Sequence, residues 1–257
     1  MRPEHPIVLI TGASSGFGAA MARLLAAQGC HLALGARRLE RVQALADELV
    51  KAHGIRAFAG AVDTRDTASV NTFVAASAEA LGGLNVLVAN AGLASGTYKM
   101  WETPDEDLEA MMRTNIEGVV KTIRAGIPHL RKAGWGHVFF IGSTAGHQPY
   151  EGGSVYCASK FGVKAMAHSL RLELNGEQIR VTSVDPGMAE TEFSEVRLKD
   201  GDKAKSVYKG VKPLTANDVA ECVRWCLSLP DHVNIDEMLV KCRDQASNTM
   251  AKVNRKG

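Results

Sequence analysis

The 257-residue chain lacks several features that would each fix a function class on sight. It has only five cysteines, an odd number at irregular spacing, which excludes a disulfide framework. Cys222 and Cys226 can share a helical face, but no His or Cys cluster accompanies them in sequence. No metal site is therefore expected, and a reduced, cytoplasmic setting is the default. Long hydrophobic runs are missing too. The opening "MRPEHPIVLI" carries charges and two prolines ahead of a short apolar stretch, which suits neither a signal peptide nor a membrane span. Charge of one sign is also lacking: a formal net charge of +2 gives no electrostatic case for nucleic acid or an anionic membrane as partner. No internal repeat or low-complexity tract appears.

What is present is the composition of an ordinary globule, 46% hydrophobic and 23% charged, able to bury a sizeable core. Short apolar runs at 6–11, 31–36, 56–62, 84–90, 137–143 and 179–185 read as strands, with a weaker seventh at 238–241. Most are apolar throughout, as parallel strands covered on both faces must be. Between the early ones lie "GFGAAMARLLAAQG", "RLERVQALADELVKAHG" and "DTASVNTFVAASAEALGG", each with apolar positions at helical spacing and a terminal Gly. The alternation predicts an α/β fold with a doubly wound parallel sheet, in a single domain spanning 1–257. Residues 186–214 have weak periodicity, are long for a connector, and suit a lid; the polar, basic tail over 249–257 is expected to fray.

The first strand runs into "ITGASSGFGAAMA", where Gly12, Gly16 and Gly18 are spaced G-x-x-x-G-x-G around Ser14, Ser15 and Phe17. Glycines there permit a tight turn and close backbone approach, and the following helix N-terminus offers free N–H groups to a pyrophosphate. The end of the second strand then selects the dinucleotide. A carboxylate there would accept ribose hydroxyls, whereas this chain has Arg37 and Arg38. A guanidinium can grip a 2′-phosphate, so the reading is NADP(H), with Arg37 favoured over Arg38 because it directly follows the strand.

One further pair stands out. Tyr156 and Lys160, in "SVYCASKFGVKAMA", are four residues apart and stack on one helix face. That is either a ring packed on a lysine stem or a phenol held beside an ammonium for proton transfer.

Three more stretches accompany these: "VANAG" (88–92), "MMRTNIEGV" (111–119) and "IGSTAG" (141–146). With "TGASSGFG" and "YCASK", they make the chain closely resemble the short-chain dehydrogenase/reductase family along essentially its whole length. The resemblance implies a seven-stranded Rossmann-type sheet and a catalytic group of Asn115, Ser143, Tyr156 and Lys160. It places Asn90, Ala91 and Gly92 at the cofactor, with Pro186, Gly187, Met188 and Thr191 passing over the nicotinamide. Asp63 is expected near the adenine, or simply starts a loop. The family often has Asn where this chain has Ala89, which puts one local hydrogen bond in question. In the expected chemistry Lys160, aided by a positive nicotinamide, lowers the phenol's pKa from its usual value of about 10, while Asn115 supports a water that links Lys160 to solvent.

Within the family, "STAGHQPYEGGSVYCASK", "ETEFSEVRLKDGDKAKSVYKG" and "LSLPDHVNIDEM" resemble the branch that oxidises serine and 3-hydroxy acids. That implies a short acidic substrate and a cation to meet it, for which Arg197 is the candidate; the alternative is a solvated lid charge. His147 and Tyr150 flank the pocket by position. The competing readings are a broad ketone or aldehyde reductase and a non-catalytic NADP-binding protein. Family resemblance also implies a homotetramer, or a homodimer, built on long helices near 107–132 and 155–175.

Overall fold

A computed structural model describes residues 2–193, 197, 208 and 210–251. Strand β1 (Ile7–Thr11) is buried at every position, and its side chains divide by the twofold period of a strand. Val8 and Ile10 enter one core cluster, Ile7 and Leu9 the other. The same division recurs in β4 (Val86–Ala89) and β5 (Gly136–Ile141), so both faces of the sheet are dry. One face is covered by α1 (Gly16–Ala27), α2 (Leu39–His53) and α7 (Ala216–Ser228). The other is covered by α3 (Thr67–Leu81), α5 (Gly118–Ala133) and α6 (Ser154–Glu173), with α4 (Asp105–Met112) leading into α5.

With β2 (His31–Ala36), β3 (Ala57–Ala61), β6 (Ile179–Pro186) and β9 (Glu237–Val240), the sheet is seven-stranded, in the order β3-β2-β1-β4-β5-β6-β9. Every pairing in it is parallel. The chain winds outward from β1 to β3, then returns to lay β4 on the other side of β1. That reversal opens a crevice beyond the carboxyl ends of β1 and β4, where ligands of such sheets bind.

Three local features depart from the sequence reading. The expected long helix near 107–132 is divided, with a π-turn over Arg113–Glu117 joining α4 to α5. The extra residue in that turn rotates Asn115 inward, where it is 1% exposed. Secondly, short strands β7 (Ala189–Glu190) and β8 (Leu214–Thr215) pair in parallel, bringing the two ends of the expected lid together. Within that lid, 194–196, 198–207 and 209 lie outside the described residues. Thirdly, the start of the polar tail read over 249–257 makes a backbone contact. Ala251 bridges back to Gln245, while 252–257 lie outside the described residues. Among the described residues, no helix is long and apolar enough to cross a membrane.

Candidate active site

The glycine turn after β1 is shaped by backbone crowding. Gly12 has φ +69°, and a Cβ there would lie 2.9 Å from Asn90 Nδ2 and 3.0 Å from Ala91 Cα. At Gly18 a Cβ would fall 2.3 Å from the Gly12 carbonyl oxygen, so α1 can start close against the turn only without a side chain. Gly18 therefore supports the turn from behind and does not line the cleft, whereas Gly12, Ser14, Ser15, Gly16 and Phe17 do. Asn90 locks the arrangement, its Nδ2 donating to the carbonyls of Thr11 (2.8 Å) and Gly12 (3.2 Å). Ser15 begins α1 without a side-chain cap, which leaves the helix N–H groups free for an anion.

At the end of β2 both arginines reach the cleft. The sequence favours Arg37, yet it is Arg38 that crosses to the glycine turn. Its Nη2 lies 3.0 Å from both Ser14 Oγ and Ser15 Oγ. Arg37 lies toward Asp63, whose carboxyl is held down at about 2 chiefly by its hydrogen bonds from Arg65. The cradle thus has tight glycines, open helix N–H groups and guanidinium groups at the ribose end. The described residues fit a phosphorylated dinucleotide.

The cleft continues across β4, β5 and β6 to a volume of about 760 Å³. Tyr156, Ser143 and Lys160 converge on it. Ser143, following β5, hydrogen-bonds the Tyr156 phenol and also accepts from the Ala145 N–H at 3.1 Å. Lys160 sits one helical turn beyond Tyr156, with Nζ 5.9 Å from the tyrosine ring centroid and donating to the Ile141 carbonyl at 2.9 Å. Asn115 lies behind the cleft wall, bonded to the Leu93 backbone at 2.9 and 2.8 Å and to Ser159 Oγ at 3.0 Å. Gly92 lies between Asn115 and Lys160: a Cβ there would stand 3.2 Å from Asn115 Oδ1 and 3.6 Å from Lys160 Nζ.

The electrostatics differ from the expected lowering of Tyr156 by Lys160. Burial dominates and pushes the phenol well above its ordinary value, with the Ser143 hydrogen bond the main opposing influence. Lys160 is itself pushed down to about 8 by burial, opposed by the negative charge of Asp185. Both shifts have one cause: a water-poor site disfavours either charge.

Tyr150 lines the cleft and His147 does not. His147 Nε2 instead bonds Asp185 Oδ2 at 2.7 Å, and Lys164 Nζ approaches its Nδ1 at 3.2 Å. The β5 connection turns immediately after Ser143, which aims His147 at this polar cluster. Arg197 enters the cleft, its Cζ 5.4 Å from the Tyr150 ring and 5.9 Å from the Tyr156 ring. Phe193 adds an aromatic wall 5.8 Å from Tyr156. Pro186, Gly187, Met188 and Thr191 line the same side. Thr64, Arg65, Glu192, Gln245 and Asn248, which no motif singles out, also line the cleft. Gln245 reaches it by accepting from the Met188 N–H at 2.8 Å, a contact made from the far end of the chain.

This geometry has close parallels. A family profile described as short chain dehydrogenase matches residues 6–201. An NADP-dependent 3-hydroxy acid dehydrogenase, YdfG, of Shigella flexneri is 41% identical over 234 residues, covering 90% of this chain and 93% of that protein. Sulfoacetaldehyde reductase 2 of Chromohalobacter salexigens is 42% identical over 248 residues, covering 95% and 97%. Among solved structures, the closed form of a serine dehydrogenase complexed with NADP+ superposes with a TM-score of 0.89 at 39% identity, covering 97% of this chain and all of that one (100%). The chain belongs to the short chain dehydrogenase family.

Proposed function

We propose that this chain is an NADP(H)-dependent oxidoreductase that interconverts a secondary alcohol and a carbonyl on a short 3-hydroxy acid, serine or a related small acid. The observation that carries the reading is the convergence of Tyr156, Ser143 and Lys160 with the Arg197 guanidinium on one cleft. Arg38, Ser14, Ser15 and the open start of α1 would hold the dinucleotide's phosphates, with Arg37 beside them. A nicotinamide held there would supply the hydride chemistry, while the chain's own residues handle the substrate oxygen and its proton. Ser143 holds the substrate oxygen in place. Tyr156, kept protonated by its burial, gives its phenolic proton to that oxygen in the reducing direction and recovers it in the other. Lys160 keeps a positive charge one turn away and would orient the ribose, and Asn115 fixes the backbone beside it. Arg197 pairs with the substrate's carboxylate or sulfonate, a role that agrees with the substrates named for the relatives. Residues 186–214 act as the substrate lid of this single domain. The enzyme works in the cytoplasm as a homotetramer, with exposed Leu108, Met112, Val120 and Phe161 on α4, α5 and α6 offering packing surface.

The test is a spectrophotometric panel of 3-hydroxy acids, serine, sulfonates, aldehydes and neutral ketones with NADP(H) and NAD(H), repeated with Tyr156→Phe. Turnover of the acids with NADP(H), lost in the variant while NADPH affinity is retained, is the expected result. Equal activity on neutral ketones would point to the broader reductase. Near-normal turnover by Tyr156→Phe would remove the proton-transfer assignment.

A further inference from the structure

Glu192 lies at the start of the lid segment, remote in sequence from the glycine turn and α2, yet its carboxylate is docked between them. Oε1 is 3.2 Å from Arg41 Nη1, and Oε2 is 3.4 Å from both Nη1 and Nη2 of Arg38. Ser15 adds a hydrogen bond to the same carboxylate. Two guanidinium groups and a glycine-turn hydroxyl around a carboxylate make the donor set that a phosphate monoester would also seek. Arg38 is simultaneously bonded to Ser14 and Ser15, which ties this anion position to the cradle itself. The neighbouring basic group, Arg23, is engaged elsewhere, in a two-point pair with Glu48. Glu192 and a 2′-phosphate therefore call on the same two arginines.

We infer that Glu192 is a specificity-determining residue: an internal competitor for the cofactor's 2′-phosphate that weakens NADP(H) binding selectively. The inference rests on the NADP(H) reading given above. Like charges cannot share Arg38 and Arg41 without one partner loosening, so the phosphate binds only as Glu192 yields part of its contacts. The free energy of breaking them is subtracted from the affinity for a ligand carrying the 2′-phosphate, and from no other.

The test is isothermal titration calorimetry on the full chain with 2′,5′-ADP and 5′-AMP as probes, comparing wild type with Glu192→Gln and Glu192→Ala. Both variants should bind 2′,5′-ADP about threefold to fivefold more tightly, the range expected for removing exposed ion pairs, with 5′-AMP unchanged. Adding Arg41→Ala to Glu192→Gln should reduce that gain. Unchanged or weaker 2′,5′-ADP binding by both variants, in an enzyme whose wild type prefers it over 5′-AMP, would overturn the inference and leave the NADP(H) reading standing. An equal gain for both probes would also overturn it, since the effect would then be one of access. A wild type that does not distinguish the two probes would bring down the cofactor reading and this inference with it.

Discussion

Replacing Lys160 by methionine removes a buried ammonium while keeping an unbranched stem of similar reach. Lys160 is only 7% exposed, and burial brings its pKa from 10.5 to about 8. A lowered pKa means the folded state favours the neutral amine. At pH 7 the charged form is present in both the folded and unfolded states, so the fold carries the whole penalty, about 3 kcal/mol. Methionine relieves that penalty but forfeits the hydrogen bond to the Ile141 carbonyl, worth about 1 kcal/mol. Lys160→Met should therefore be about 2 kcal/mol more stable than wild type at pH 7, while being inactive. Between about 8 and 10.5 the unfolded chain binds the proton that the folded wild type has given up, so wild-type stability rises with pH. The variant's advantage should shrink across that window and become a deficit of about 1 kcal/mol by its upper end. Urea unfolding of both proteins at a series of pH values between 7 and 10 measures this difference, and titrations shared by both chains cancel. A variant less stable than wild type at pH 7, or a difference that does not move with pH, would refute the account of Lys160 as a charge held at a cost to the fold.

Two other substitutions probe the cradle and the substrate end. Gly18→Ala puts a methyl 2.3 Å from the Gly12 carbonyl and 2.8 Å from Asn90 Nδ2, so it should destabilise the protein by about 1–3 kcal/mol, with weaker NADPH binding in fluorescence titration. Wild-type stability and affinity in that variant would show that the turn relaxes freely. Arg197→Ala should raise KM for carboxylate substrates by at least about tenfold, with little change for neutral ketones of the same length, because only the acids lose a charge-assisted partner. Steady-state kinetics on the matched pair decides it, and an equal effect on both substrates would remove Arg197 from anion recognition.

Much of this molecule is legible without coordinates, for physical reasons that particular residues show. The inner strands announce themselves because burial on both faces demands uninterrupted apolar runs such as Ile7–Ile10, whereas the half-buried edge strand β9 leaves only the weaker run of the seventh. The glycine turn is legible because a side chain at Gly12 or Gly18 would crowd Asn90 and the turn's own backbone. The start of α7 is marked locally as well: Thr215 and Asp218, at T-x-x-D spacing, form a capping box, with Oγ1 accepting at 3.2 Å from the Asp218 N–H and Oδ2 at 2.7 Å from the Thr215 N–H.

The sequence by itself determined the layering, the location of the dinucleotide cradle and the pairing of Tyr156 with Lys160, since each depends on spacing along one element. Tertiary structure alone decided what depends on surroundings. It turned His147 away toward Asp185 and carried Arg38 across to the glycine turn. It also brought Gln245 and Glu192 to the cleft from distant parts of the chain. The pKa directions of Tyr156 and Lys160 belong to the same class. They follow from how completely the packed chain excludes water, a property of the assembled site that no local pattern of residues contains.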